Sequence, residues 1–144
     1  MKKNLTLLLI VAFMISSPVW ANVNIRQGNI EILNPWVQAT NEKNADLFMK
    51  IVNHGSEPDK LTSVQSNVSQ LNELHLHSED NGKMTMHKIG FIEIPGFGNK
   101  VMVPRGHHIM LSHLSHPLRE GDNVYITLHF EREGDISFLA PIRR

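Results

Sequence analysis

The 144-residue sequence contains no cysteine. A thiol nucleophile, a CxxC redox pair, an iron–sulfur cluster and a blue-copper centre are therefore excluded, because each of them uses a cysteine sulfur. The sequence also has no excess of positive or negative charge, since 14 basic residues balance 14 acidic residues. The chain has no basic stripe, so nothing in its composition indicates that the protein binds nucleic acid.

Long hydrophobic runs are scarce, and the clearest one lies near the N-terminus. Positively charged residues precede an apolar run at residues 5–15, and a small-residue motif follows at residues 19–21. This order is typical of a secretory signal peptide, and the run is too short to cross about 30 Å of hydrocarbon as a helix. We therefore expect residues 1–21 to be removed on export to the periplasm and residues 22–144 to form one domain. The alternative is an uncleaved anchor, because Trp20 is bulky for a cleavage motif.

The remaining sequence alternates between apolar and polar residues with a period of two, which is typical of strands and not of helices. The segment from Asn123 to Phe130 is the clearest example. Turn residues separate about eight such segments, and Asn81-Gly82 is a strong hairpin signal. Pro35 indicates an edge or a bulge within residues 30–38, whereas residues 61–74 have only weak periodicity. The pattern predicts an all-β fold, an antiparallel β-sandwich.

Histidine and methionine are abundant where cysteine is absent. The sequence has nine histidines and seven methionines, and most of the histidines lie between Leu74 and His116. A thioether is soft and neutral, so it suits copper(I) but has little affinity for zinc, calcium or magnesium. Imidazole binds copper in either oxidation state, and three or four such ligands are enough for copper(I). Unlike thiolates, these ligands are not drawn into disulfides outside the cytoplasm.

Several of these residues are spaced two apart, which puts both members of a pair on one face of a strand. The pairs are His75 with His77, Met84 with Met86, and His108 with Met110. If their three strands meet, all six side chains converge at one end of the sandwich. The alternative for the methionines is core packing, which is the usual role of a single methionine.

The spacing from His75 to Met86 and on to His108-Ile109-Met110 resembles the signature of the periplasmic copper chaperones of the PCuAC family. Other segments of residues 22–144 are similar as well, among them Pro35-Trp36-Val37, Gly82-Lys83-Met84-Thr85-Met86 and Ile92-Glu93-Ile94-Pro95. The resemblance implies a cupredoxin-like Greek-key β-sandwich without the cupredoxin cysteine. It also implies a solvent-accessible site for one copper(I) ion, with His75, Met86, His108 and Met110 as ligands.

The same resemblance implies a copper chaperone. We do not expect an enzyme, because the serine and aspartate residues of the sequence form no nucleophile-elbow motif and have no paired catalytic base. Such a chaperone serves respiratory oxidase assembly. The resemblance therefore implies delivery of the copper to the dinuclear centre of oxidase subunit II, with Sco-type proteins as partners. We expect a monomer, with Met84 and His77 as auxiliary ligands. Some family members carry a His- and Met-rich C-terminal tail that adds copper(II) capacity. The printed sequence ends at Arg144 without such a tail, so that second function is not expected here.

Two other functions stay open at this point. A copper-buffering or copper-tolerance protein without a dedicated client would share the same site. A zinc-dependent hydrolase could start its ligand set at His75 and His77, but the paired methionines would then be unexplained. Other histidines, methionines and one tryptophan are not expected to bind metal. We expect His107 to face away from His108 and His129 to face water. We place His113 and His116 in a turn, and Met49, Met102 and Trp36 in the core.

Overall fold

A computed structural model describes residues 23–144, so the predicted signal peptide at residues 1–21 lies outside the described residues. The described chain folds into eleven strands, and none of its residues is helical. The strands are β1 (Asn24–Gln27), β2 (Ile30–Gln38), β3 (Ala45–Asn53), β4 (Asp59–Ser66), β5 (Ser69–Asp80), β6 (Lys83–Ile89), β7 (Ile92–Ile94), β8 (Asn99–Met102), β9 (His107–Leu114), β10 (Asn123–Phe130) and β11 (Gly134–Arg143). From residue 23 onward, no helix is long and apolar enough to span a membrane.

The strands form two halves whose apolar faces meet. One half has the order β6-β5-β9-β3-β2, with β1 paired to β2 and β8 paired to β3. The other half has the order β11-β10-β4-β7. The halves join where β11 runs parallel to β2, with Ile142 beside Val37. The other named strand pairs are antiparallel, so the predicted all-β sandwich is confirmed.

One buried cluster takes side chains from both halves. On β10, Val124, Ile126, Leu128 and Phe130 are fully buried, while the residues between them are exposed or half-buried. Facing positions on β3 and β9 contribute Leu47 and Ile109 to the same cluster. Met49 and Met102 are cross-strand partners inside it, so their predicted core positions are confirmed. Burying each large apolar side chain contributes about 1.5–3 kcal/mol.

Two local features follow from turn chemistry. Asn81 and Gly82 join β5 to β6 with φ values of 52° and 76°, the positive values that a two-residue type I′ hairpin needs. The predicted hairpin is therefore confirmed. The register of β2 against β3 shifts between Leu33 and Trp36, around Pro35, which confirms the predicted bulge.

The strand count is higher than the periodicity predicts. The chain has eleven strands where about eight were expected. Strands such as β1 and β8 are only four residues long, which is too short for alternation to stand out. The weakly periodic residues 61–74 divide between the end of β4 and the start of β5.

Candidate metal centre

Strand β5 lies between β6 and β9, and this order brings the three predicted pairs together. His75 on β5 is directly opposite His108 on β9, and His77 is directly opposite Met86 on β6. Met110 is opposite Glu73. Cross-strand partners lie on the same face of a sheet, so all these side chains share one face. We call this face the His/Met face.

The two predicted histidine ligands are buried side by side. His75 is 5% exposed and His108 is 2% exposed, and their ring centroids are 5.6 Å apart. The ring of Phe48 lies 6.5 Å from His108 and packs in turn against Trp36 at 4.9 Å. Two imidazoles therefore lie buried beside an aromatic pair, outside the apolar cluster between the two halves.

Each of these imidazoles is held through one ring nitrogen. His75 Nε2 donates to Glu73 Oε2 at 2.8 Å, because a carboxylate can only accept. The other nitrogen, Nδ1, is buried and has no hydrogen-bond partner within residues 23–144. His108 Nδ1 donates to the Gly106 carbonyl at 3.1 Å, and its Nε2 lies 3.9 Å from Asp46 Oδ1. Metal-binding histidines commonly donate one N–H to a carboxylate or carbonyl, which leaves the other nitrogen for the metal.

Glu73 also accepts from a lysine on the neighbouring strand. The Lys88 ammonium lies 3.1 Å from Glu73 Oε1, while His75 holds Oε2. The hydrogen bond from His75 lowers the pKa of Glu73 below its usual value, and the hydrogen bond from Lys88 lowers it further. Glu73 is therefore a carboxylate at neutral pH and a fixed acceptor for the His75 ring.

The two predicted thioether ligands line a common cleft. Met86 and Met110 face the same opening, which also contains Asp46 and Thr40 and has a volume of about 340 Å³. Met86 is 48% exposed and Met110 is half-buried. Buried imidazoles thus lie on the same face as thioethers that solvent can reach. Within the described residues, no group of three or more histidine and carboxylate side chains could hold a metal ion.

The sequence matches a known protein family. A family model described as LpqE-like, a lipoprotein family, matches residues 30–142. The chain belongs to the LpqE-like family. A lipoprotein of Leifsonia xyli subsp. xyli, Lxx21020, is 28% identical over 116 residues, which cover 79% of this chain and 69% of that protein.

Solved structures also resemble this LpqE-like chain. The copper-bound PCuAC domain from PmoF2 is 27% identical with a TM-score of 0.73, and the match covers 84% of this chain and 97% of that domain. Copper(I)-bound DR1885 from Deinococcus radiodurans is 23% identical with a TM-score of 0.62, and the match covers 76% of this chain and 74% of that one. The latter likeness is one of fold alone. The expected cupredoxin-like sandwich of PCuAC domains is confirmed.

The LpqE-like chain also brings the two auxiliary candidates to the same face. The ring of His77 lies 4.8 Å from that of His108, closer than the ring of His75. Its Nδ1 is buried and lacks a hydrogen-bond partner among the described residues. Met84 is opposite Glu79 and is 53% exposed, so it does not fill the core.

Other histidines lie where alternation predicts, with one difference. His107 is half-buried beside Leu76, on the face opposite His108. Burial, together with the charges of Lys100 and His108, lowers the pKa of His107. The other five, His54, His87, His113, His116 and His129, are exposed. His113, however, is not in a turn: it lies in β9, with a positive φ of 55°.

The prediction for Trp36 is wrong, and three contributors to the His/Met face were missed. Trp36 is half-buried and pairs with Phe48 outside the apolar cluster, because the bulge after Leu33 changes the register of β2. The missed residues are Glu73, Asp46 and Phe48. Glu73 precedes His75 by two, so strand parity could have found it. The other two lie on β3, whose pairing with β9 leaves no local signal in the sequence.

Proposed function

We propose that this protein is a copper(I) carrier of the cell envelope. In this proposal one copper(I) ion is bound by His75, Met86, His108 and Met110 and is handed to another protein. The supporting observation is the pair of buried imidazoles on the same face as two cleft-lining thioethers. Each imidazole is hydrogen-bonded through one nitrogen; His75 Nδ1 has no hydrogen-bond partner among residues 23–144, and His108 Nε2 has only Asp46 nearby, at 3.9 Å. This donor set matches the preference of copper(I) for soft, neutral ligands.

The arrangement also suits release of the ion. The thioethers of Met86 and Met110 lie at an open cleft, so an acceptor could replace them without unfolding the sandwich. A thiolate-bearing acceptor would bind the ion more tightly than these four neutral donors do. Copper is therefore cargo in this proposal, and no chemical step is assigned to the protein.

The destination is also part of the proposal. We infer delivery to respiratory oxidase assembly, with the dinuclear copper centre of subunit II or a Sco-type protein as acceptor. The likeness to the copper-bound PCuAC domain from PmoF2 supports copper binding. The destination comes from the resemblance of the sequence signature from His75 to Met110 to the periplasmic copper chaperones. An envelope location is in keeping with the lipoprotein description of the family and with the predicted signal peptide at residues 1–21.

Anaerobic competition for copper(I) against a coloured chelator tests the ligand set. His108→Ala and Met110→Ala should each weaken binding by at least about tenfold, since each removes a ligand. His116→Ala and His129→Ala are matched controls, because both histidines are exposed and lie outside the set. Wild-type affinity in both ligand variants would reject the assignment.

NMR of the protein titrated with copper(I) supplies an independent readout. The methyl signals of Met86 and Met110 and the ring signals of His75 and His108 should shift with one equivalent of copper(I). The methyls of the core residues Met49 and Met102 serve as internal controls, because both are buried away from the His/Met face. Shifts confined to other side chains would locate the metal elsewhere.

Copper buffering without a dedicated client is the competing function, since it would use the same ligands. A deletion strain separates the two functions. Loss of oxidase activity that added copper restores would support delivery. Copper sensitivity with normal oxidase activity would support buffering.

A further inference from the structure

The His/Met face contains a second set of donors displaced from the proposed ligands by one strand repeat. His77 follows His75 by two residues, and Met84 precedes Met86 by two. Both steps lead toward the Asn81-Gly82 turn at the tip of the β5–β6 hairpin. A two-residue step is about 7 Å along a strand. The same kinds of donor are therefore repeated along one direction.

Exposure increases along the same direction. His75 is buried and His77 is partly buried, while Met86 and Met84 are both about half exposed. His77 lies directly opposite Met86, and its ring is 4.8 Å from that of His108. His77 is thus adjacent to two of the four proposed ligands while lying nearer the hairpin tip than His75.

Neither residue has an evident structural role. Buried polar atoms are normally hydrogen-bonded, yet His77 Nδ1 is buried and unpartnered within residues 23–144. The Met84 side chain is more than half exposed, so it contributes little to packing. An unengaged imidazole nitrogen and an accessible thioether on one face are donors that copper(I) can use.

We propose that His77 and Met84 form an exit pair through which copper(I) leaves the protein toward the tip of the β5–β6 hairpin. This inference rests on the proposed function. Copper(I) would break its bonds to His75 Nδ1 and Met110 sulfur and form bonds to His77 Nδ1 and Met84 sulfur. Met86 and His108 would stay bound during the exchange. The ion keeps its single positive charge and the ligands are neutral, so no electron or proton is transferred.

The exit pair predicts an effect on transfer rate without an equal effect on affinity. The full chain is loaded anaerobically with one equivalent of copper(I) and mixed rapidly with excess bathocuproine disulfonate. The variants are His77→Leu and Met84→Leu, each of which removes the donor atom and leaves an apolar side chain of moderate size. His87→Leu is the matched control, because His87 is exposed on β6 but lies on the other face, opposite Leu76.

We expect each exit-pair variant to transfer copper about tenfold more slowly, with an equilibrium Kd within about threefold of the wild-type value. The control should transfer at the wild-type rate. Unchanged rates in both variants would overturn the exit pair and leave the proposed function standing. A Kd raised by about tenfold or more in His77→Leu would make His77 a resident ligand, which also overturns it. Failure of the wild-type chain to bind copper(I) would overturn both proposals.

Discussion

Glu73 should control copper affinity although it is not a proposed ligand. Its carboxylate accepts from His75 Nε2 at 2.8 Å, and this bond keeps the proton on Nε2 and leaves Nδ1 free. Glu73→Ala removes the acceptor, so the ring can turn and its proton can move to the nitrogen that would bind copper. Replacing such a partner of a metal-binding histidine typically costs about 10–100-fold in metal affinity. We expect a loss within that range.

Competition titration of copper(I) measures this loss, and Lys88→Ala is the control. Lys88 contacts the same carboxylate at 3.1 Å but is largely exposed, so its removal should change copper affinity by less than about fivefold. Glu73→Gln keeps an acceptor oxygen and should lie between Glu73→Ala and the wild type. Thermal unfolding of each variant checks that the fold is retained. Wild-type affinity in Glu73→Ala, or an equal loss in Lys88→Ala, would refute the role of Glu73 in orienting His75.

Further predictions concern the hairpin, the core and pH. Gly82→Ala should destabilise the protein by about 1–2 kcal/mol in urea unfolding, because the backbone there has a φ of 76°, which strains a residue with a Cβ. Gly90→Ala is the control: an added Cβ also meets open space there, but φ is not positive, so stability should change little. Ile126→Ala removes a fully buried side chain and should cost about 2–5 kcal/mol. The half-exposed neighbour Tyr125 should tolerate alanine, and equal losses would contradict the burial pattern. The pKa of Glu73 is lower in the folded protein than in the unfolded chain. Its stabilising effect on the fold is therefore complete above the pKa of an unfolded glutamate, about 4.3, and is lost as pH falls through the lowered pKa of the folded state. The urea midpoint of Glu73→Gln should therefore approach that of the wild type as pH is lowered. A difference between the two midpoints that stays constant across pH would contradict this. Copper(I) affinity should fall as pH is lowered, since imidazole binds metal only when neutral. Chelator titrations at several pH values measure it, and an affinity that does not change with pH would contradict this.

Local signals in the sequence predicted most of the strands. Alternation on β10 is clean because one face meets the apolar cluster and the other meets solvent. The hairpin at Asn81-Gly82 was predictable because few other residue pairs adopt positive φ at both positions. The parallel pairing of β11 with β2 was not, since it joins residues about a hundred positions apart and depends on how the two halves close.

The sequence by itself determined which donors exist and which of them share a strand face. Histidine and methionine two residues apart must point the same way, whatever the strands do next. Only the tertiary structure decided that β5 lies between β6 and β9, with His75 opposite His108 and Glu73 beside the ring. The physical reason is that pairing between distant strands follows from burial of both apolar faces at once, and no short stretch of sequence encodes it.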